Sequence, residues 1–404
     1  MALRAAAASA AVLAALAVPA PAAARINQCS TAPAEAQVSH AEPEETRLYD
    51  PRRLAPLATG AGVRVAVIDS GVDASHPQLR GHVAPGRDML HGDPTGRQDC
   101  VGHGTAVASI IAAQPVTGVG FRGLASGVTI VPVRVSEQEE IDGQAQGDPG
   151  TPGKFADAIA WAADPNGGRA QVINLSLVMT VDDARVRRAV ADAIGRGVVV
   201  VAAAGNHAQE GDPTPYPAAY PDVIGVGAVS ADGQRAGFSQ HGDYVDIMAV
   251  GDRVTVAARR AGHTAGQGTS YAAPFVAATA ALIEQRFPRS SPAQVTRRLL
   301  ATADPAPGGA RSDEYGYGLL NPYRALTETL GPDRPAAPPP AVVHTEDPAV
   351  VALHARRAHS QQVAMVAAGV GVVLVAVVAL LAVVVRRGRR RGWRPPPAAE
   401  RLPS

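Results

Sequence analysis

The chain has 404 residues, 46% of them hydrophobic, and 37 basic side chains stand against 36 acidic ones for a formal net charge of +1. That length is enough for one large domain with appendages, and a near-neutral charge gives no reason to expect nucleic acid as a partner. Lys154 is the only lysine and alanine is very frequent, a compositional bias with no bearing on mechanism.

Residues 1–24 carry Arg4, an apolar stretch from Ala5 to Val18 and small residues ending at Ala24. This is the pattern of a cleaved export signal. Residues 25–61 are polar, contain proline and are weakly patterned; they are expected to wrap the body as an extension. Cys29 and Cys100 both fall in the exported part, where disulfides persist. A bridge between them would close a loop of roughly 70 residues, worth about 4 kcal/mol in the chain-entropy model; two free thiols are the alternative.

Val63 to Ile68 is a short apolar run rich in β-branched residues and reads as a buried parallel strand ending at Asp69. Gly102-His103-Gly104-Thr105 opens an apolar run to Ala113 that reads as a helix. Strands are expected at 128–135, 171–177, 198–204, 223–229 and 245–250, and helices at 154–163 and from Asp182 to about Ile194, the latter ended by Gly195 and Gly197. Residues 136–153 form an acidic, turn-rich stretch longer than most connections, read as either functional or mobile. Further helices follow from Ser270 to about Arg286, from Pro292 to about Ala303 (started by Ser290 or Ser291), and after Asn321-Pro322. Strands alternating with helices imply a mostly parallel sheet with helices on both faces, with ligands at the carboxyl ends of the strands. Prolines accumulate from Gly331 to Pro348, an extended linker, within a juxtamembrane segment taken as 331–362. Val363 to Val385 is uncharged; at 1.5 Å per residue it reaches about 35 Å, enough for one C-terminal transmembrane helix. The arginine-rich tail 386–404 after it is expected to be cytoplasmic, with the body outside the cell membrane.

Three motifs carry chemistry. Asp69-Ser70-Gly71 is also a signature of aspartic proteases, but those need two such carboxylates and only one is present. Ser270, between Gly268-Thr269 and small residues at a helix start, sits where backbone N–H groups and the positive dipole end collect. The chain order is Asp69, His103, Ser270. Among unrelated serine hydrolases that order is the subtilisin one. From about residue 60 to about 330 the chain therefore resembles a subtilase.

The resemblance implies a subtilisin-like α/β fold and a serine endopeptidase that acts by acyl transfer. Asp69, His103 and Ser270 would form the triad, Asn206 in Gly205-Asn206 would give a side-chain N–H to the oxyanion hole, and Asn174, Ser176, Ala203 and Gly205 would edge the substrate cleft. The mechanism so implied needs no metal and no cofactor and takes a protein or peptide substrate; no compact oxygen-ligand loop for Ca²⁺ stands out in the sequence, although subtilases often build such sites from scattered carbonyls. Tyr315 to Asn321 resembles the closing motif of the subtilase body. The signal, extension, cysteine before the Gly-His-Gly-Thr motif, linker, anchor and basic tail together resemble mycosins, the membrane-anchored subtilases of type VII secretion. Two functions are then implied: limited proteolysis of exported proteins, or a structural part of the secretion membrane complex. A general surface-degrading protease fits the anchor less well.

Overall fold

A computed structural model describes residues 36–331 except 142, 143 and 308, together with 383 and 385–387. The chain divides into two units, Met1–Leu330 and Gly331–Ser404; the sheet and its helices belong to the first.

In chain order the elements are α1 (Glu44–Tyr49), α2 (Pro51–Leu54), β1 (Arg64–Asp69), β2 (Arg87–Asp88), α3 (His103–Ala112), β3 (Thr129–Arg134), β4 (Glu139–Ile141), β5 (Gln144–Gln146), α4 (Pro152–Ala163), β6 (Val172–Leu175), α5 (Ala184–Gly195), β7 (Val199–Ala203), β8 (Ile224–Val229), β9 (Ile247–Val250), β10 (Val254–Ala257), β11 (His263–Gly266), α6 (Thr269–Arg286), α7 (Pro292–Ala301) and α8 (Pro322–Thr327). Seven strands form one sheet in the order β2-β3-β1-β6-β7-β8-β9, and every neighbouring pair is parallel. From β1 the chain goes out to β3 on one side and later to β6 on the other. The strand order therefore reverses at β1, and the crevice at its carboxyl end is where such sheets bind ligands. Asp69 is the last residue of β1.

Apolar runs without alternation mark strands covered on both faces. Val65 and Val67 of β1 face one core layer, while Ala66 and Ile68 face the other. The same split holds in β7, with Val199, Val201 and Ala203 opposed to Val200 and Ala202. Helices α3 and α6 pack in the first layer, α4 and α5 in the second. Helix α6 is buried from Thr269 to Ile283 apart from Tyr271, which explains why its sequence is apolar and small all round rather than striped.

The extension is more structured than its weak pattern suggested. Tyr49 of α1 stacks on Phe275 of α6 with centroids 4.8 Å apart, and its hydroxyl accepts the Val250 N–H at 2.9 Å. Glu45 Oε1 accepts the Thr255 N–H at 2.9 Å. A helix of six residues cannot hold itself up in water, so these tertiary bonds sustain α1, while α2 is seated by the fully buried Leu54. The hairpins β4–β5 and β10–β11 also escaped the sequence reading. Ser291, not Ser290, starts α7, through a reciprocal capping box with Gln294.

The transmembrane part of the expected fold is corrected: among the described residues no helix is long and apolar enough to cross a membrane. The stretch read as the anchor, 363–385, lies outside the described residues except for 383 and 385, as do the signal at 1–24, the extension up to residue 35 and the linker beyond 331.

One histidine pins the extension and a second packs beside it. The Ser39 N–H donates to His263 Nδ1 at 3.0 Å. His263 Nε2 meets Gln78 Oε1 at 2.6 Å, while the Gln78 amide nitrogen donates to the Gln114 and Phe121 carbonyls. Gln78 Oε1 is thus an acceptor, and His263 must be the neutral tautomer with hydrogen on Nε2. Next to it, the Gln78 N–H donates to His76 Nδ1 and His76 Nε2 donates to the Gly262 carbonyl. Burial, helped by His76, pushes His263 down to about 4. A histidine whose folded pKa lies below its unfolded value of about 6.5 binds fewer protons folded than unfolded between the two. Its contribution is therefore full above about pH 6.5 and is lost as pH falls toward about 4. Thermal melts across that window should show the midpoint falling with acidification. His263→Gln should melt lower at neutral pH and show a shallower fall.

Candidate active site

Three element ends converge on the crevice. β1 delivers Asp69, which is fully buried. α3 begins at His103 and α6 presents Ser270 as its second residue. His103 Nδ1 lies 2.8 and 2.9 Å from the two Asp69 carboxylate oxygens, and His103 Nε2 lies 3.0 Å from Ser270 Oγ. The Ser70 N–H also donates to Asp69 Oδ1 at 2.7 Å. Asp69 therefore holds the hydrogen on Nδ1 and leaves the Nε2 lone pair facing the serine. Burial acts against the imidazolium of His103, but the charge and hydrogen bond of Asp69, with a smaller contribution from the charge of Asp99, outweigh it and His103 titrates above the ordinary histidine value.

The close approach of α3 to β1 explains the glycine after the histidine. A Cβ on Gly104 would lie 2.1 Å from the Gly71 carbonyl oxygen and 3.2 Å from Asp69 Oδ1. Gly268, at φ +147, is the other obligatory one: its Cβ would stand 3.1 Å from both Asn206 Nδ2 and Ser270 Oγ. Those two polar atoms thus face one small volume. The orientation of the Asn206 amide follows from its neighbours. Asn206 Oδ1 accepts from the Thr269 N–H at 2.9 Å and the Thr269 hydroxyl at 3.0 Å, and that hydroxyl accepts the Gly205 N–H. The Nδ2 hydrogens are left to point into the cleft.

Ser270 has a second support. Pro274 lies within α6 and has no N–H to give the Ser270 carbonyl four residues earlier. The Ser176 hydroxyl fills that place, donating to the Ser270 carbonyl at 2.8 Å, and Ser176 Oγ accepts from Asn174 Nδ2 at 2.9 Å. Asn174, fully buried, thus sits behind the cleft as a buttress, while Ser176, Ala203 and Gly205 line it.

The cleft holds about 490 Å³ around Asp69, His103, Ser270 and Asn206. Apolar side chains Leu177, Val178 and Met179 form one wall. The acidic stretch 136–153 contributes Ser136, Gln138 and Pro149 to Pro152 to another, and its middle pairs as the β4–β5 hairpin. Asp99 was not among the residues expected at the site, and Gly268 and Thr269 were expected only as neighbours of Ser270. The sequence reading also missed the contact of Tyr271, whose ring packs on His103 with centroids 5.2 Å apart. A carboxylate four residues before the histidine was the one signal available for Asp99.

The disulfide expectation is corrected. Cys29 lies outside the described residues, so no bridge to it is described among them. Cys100 itself is not a free thiol; its carbonyl accepts from the Arg259 guanidinium. No cluster of three metal-ligating side chains occurs among the described residues.

The model of the Subtilase family matches residues 60–318. Mycosin-1 of Mycobacterium tuberculosis is 35% identical over 361 residues, covering 78% of this chain and 79% of that protein. Subtilisin E of Bacillus subtilis is 39% identical over 267 residues, 65% of each chain. A solved structure described as a serine protease MycP1, an essential component of the type VII (ESX-1) secretion system, superposes with a TM-score of 0.62 at 31% identity, covering 74% of this chain and 94% of that one.

Removing the Ser176 hydroxyl would leave the buried Ser270 carbonyl and Asn174 amide unpaired. Ser176→Ala is expected to cost about 1–3 kcal/mol per group left unsatisfied, read as a lower denaturation midpoint in urea with an unchanged slope.

Proposed function

The chain belongs to the Subtilase family and is a serine endopeptidase of the subtilisin type; on that premise we propose that Asp69, His103 and Ser270 are its catalytic residues and that it cuts exported proteins beside a type VII secretion apparatus. The observation that carries the assignment of residues is the unbroken hydrogen-bonded path from the Asp69 carboxylate to His103 Nδ1, at 2.8 Å, and from His103 Nε2 to Ser270 Oγ, at 3.0 Å.

In this reading His103 Nε2 takes the hydroxyl proton as Ser270 Oγ bonds to the peptide carbonyl carbon. Asp69 stabilises the imidazolium so formed. The negative carbonyl oxygen meets Asn206 Nδ2 and the Ser270 N–H, a first-turn donor for which α6 provides no acceptor. His103 then passes its proton to the departing amine as the C–N bond breaks, leaving an ester on Ser270. Water, giving its proton to the same nitrogen, hydrolyses the ester and restores the serine. The apolar wall at Leu177 to Met179 suits an extended, uncharged stretch of substrate.

Support for the setting is the likeness to Mycosin-1 over 78% of the chain and to a MycP1 structure described as part of a type VII system. We take residues 62–330 as the peptidase body and its location as extracytoplasmic and membrane-associated. The description of that MycP1 as an essential component favours a second reading, in which this chain also holds the secretion complex together.

A fluorophosphonate probe should label the full chain at Ser270 and leave Ser270→Ala unlabelled; a folded wild-type chain that stays unlabelled would sink the catalytic assignment. Asn206→Ala should lower kcat roughly 100- to 1,000-fold with little change in KM, the usual effect of deleting one oxyanion donor. Export through the host's type VII system, compared in wild type, Ser270→Ala and a deletion, separates the two readings. Loss in both mutants means that cutting drives export, and loss on deletion alone means that the protein serves chiefly as a part of the complex.

A further inference from the structure

Asp99 has no part in the catalytic steps, yet it is 4% exposed and lies four residues before His103. Its carboxylate receives five hydrogen bonds. Oδ1 accepts from the Ser70 hydroxyl at 2.9 Å, the Val101 N–H at 3.1 Å and the Gly102 N–H at 2.7 Å. Oδ2 accepts from the Thr105 N–H at 2.8 Å and the Thr105 hydroxyl at 2.6 Å. Both hydroxyls have their direction set from behind. Ser70 Oγ accepts the Gly104 N–H at 2.9 Å, and Thr105 Oγ1 accepts the Asp73 N–H at 2.9 Å. Each therefore turns its own hydrogen toward Asp99. Burial pushes the Asp99 carboxyl up while the bonds from Thr105 and Gly102 pull it back; a shell made only of donors suits the ionised form, because a protonated one would need an acceptor for its hydrogen.

The five donors come from two places. Ser70 follows Asp69 in the turn after β1; Gly102 and Thr105 flank His103 at the start of α3. One buried anion thus joins the segment that carries the aspartate to the segment that carries the histidine. We propose that Asp99 is a positioning residue for the reaction, holding the Asp69 turn against the start of α3 and adding a second buried counter-charge that sets the pH at which His103 becomes a base. The proposal rests on the triad reading and deepens it.

The charged and titratable groups around the pair are few. Asp69 bonds His103 directly, and the Tyr271 ring packs on it from α6. Arg259, on the β10–β11 hairpin, bonds the Cys100 carbonyl and packs beside Gly102, so its cation opposes the effect of Asp99. Asp73 turns its own carboxylate to Ser75 and to the Arg260 N–H. The upward titration of His103, with Asp99 among its causes, agrees with the geometry.

The sign of the effect is set by the role of His103. It must be neutral to accept a proton, so reactivity rises with pH through its pKa. Deleting the Asp99 charge weakens the imidazolium and moves that rise to lower pH. The test is the rate of fluorophosphonate labelling of Ser270 against pH, in the full chain. In Asp99→Asn the plateau rate should fall roughly tenfold or more through misplacement of the base, and the acid limb should move down by roughly 0.5–1 unit. Asp99→Ser, a second neutral variant, should show the same displacement if the asparagine chain does not fold. Ser70→Ala keeps the charge and cuts one tie; it should be slower with its acid limb in place. Neutral variants that are slow but keep the wild-type limb would overturn the proposal, leaving Asp99 a purely structural residue. A wild-type chain that does not label at all would overturn the triad reading and this proposal with it.

Discussion

The hydrogen bond from His103 to Asp69 depends on where β1 lies in the sheet, and most of the molecule serves that placement. β1 is paired on both sides, with β3 and β6, in continuous parallel register. Both of its faces are covered by core. A strand held in this way cannot slide or tilt without breaking two ladders and two packed layers, because a one-residue slip would reverse every side chain. Its last residue is therefore delivered to a fixed point at the carboxyl edge. An aspartate is tolerated there, fully buried, because His103 and the Ser70 N–H satisfy it.

The other two functional residues arrive on helix starts, and each start departs from ordinary helix chemistry. α3 has a glycine in place of a side-chain cap; Asp99 reaches in from outside and takes the orphan N–H groups of Gly102 and Thr105. α6 also lacks a capping side chain of its own, and the Asn206 amide takes its Thr269 N–H. One turn further along, Pro274 deprives the Ser270 carbonyl of its helical partner, and Ser176 replaces it. The unpaired groups that normally face water at helix ends are here bonded to the walls of the cleft. Ser270 and His103 are held by backbone bonds on both sides, so little rearrangement is open to either side chain.

Burial acts on the histidines in two directions. At His103 two carboxylates lie close enough to outweigh it, and the ring titrates upward. At His263 and His76 no carboxylate bonds the rings, burial dominates and both titrate downward. The neutral pair can then accept N–H bonds, from Ser39 in one case and from Gln78 in the other, which a protonated ring could not. One residue type thus titrates upward in the cleft and downward where it fastens the extension, the difference being a carboxylate bonded to the ring.

The class of sheet, the chain order Asp69, His103, Ser270 and the match to subtilases were legible from the residues alone. These are local matters: uninterrupted apolar runs report strands covered on both faces, and short glycine-flanked motifs report helix starts. Cap signals such as Ser291 with Gln294 are also local, which is why the start of α7 was legible to within a residue. Only the tertiary structure decided that Asp99 bonds Ser70, that Ser176 rescues the carbonyl left by Pro274, and that Asn174 stands behind the cleft rather than on its edge. Each of those bonds joins residues from separate segments through single hydrogen atoms, and no periodicity records such a pairing. The same reason hid α1 and α2. Helices so short do not stand alone in water, and α1 exists because Tyr49 and Glu45 find partners on α6, β9 and β10 that lie some two hundred residues away in the chain.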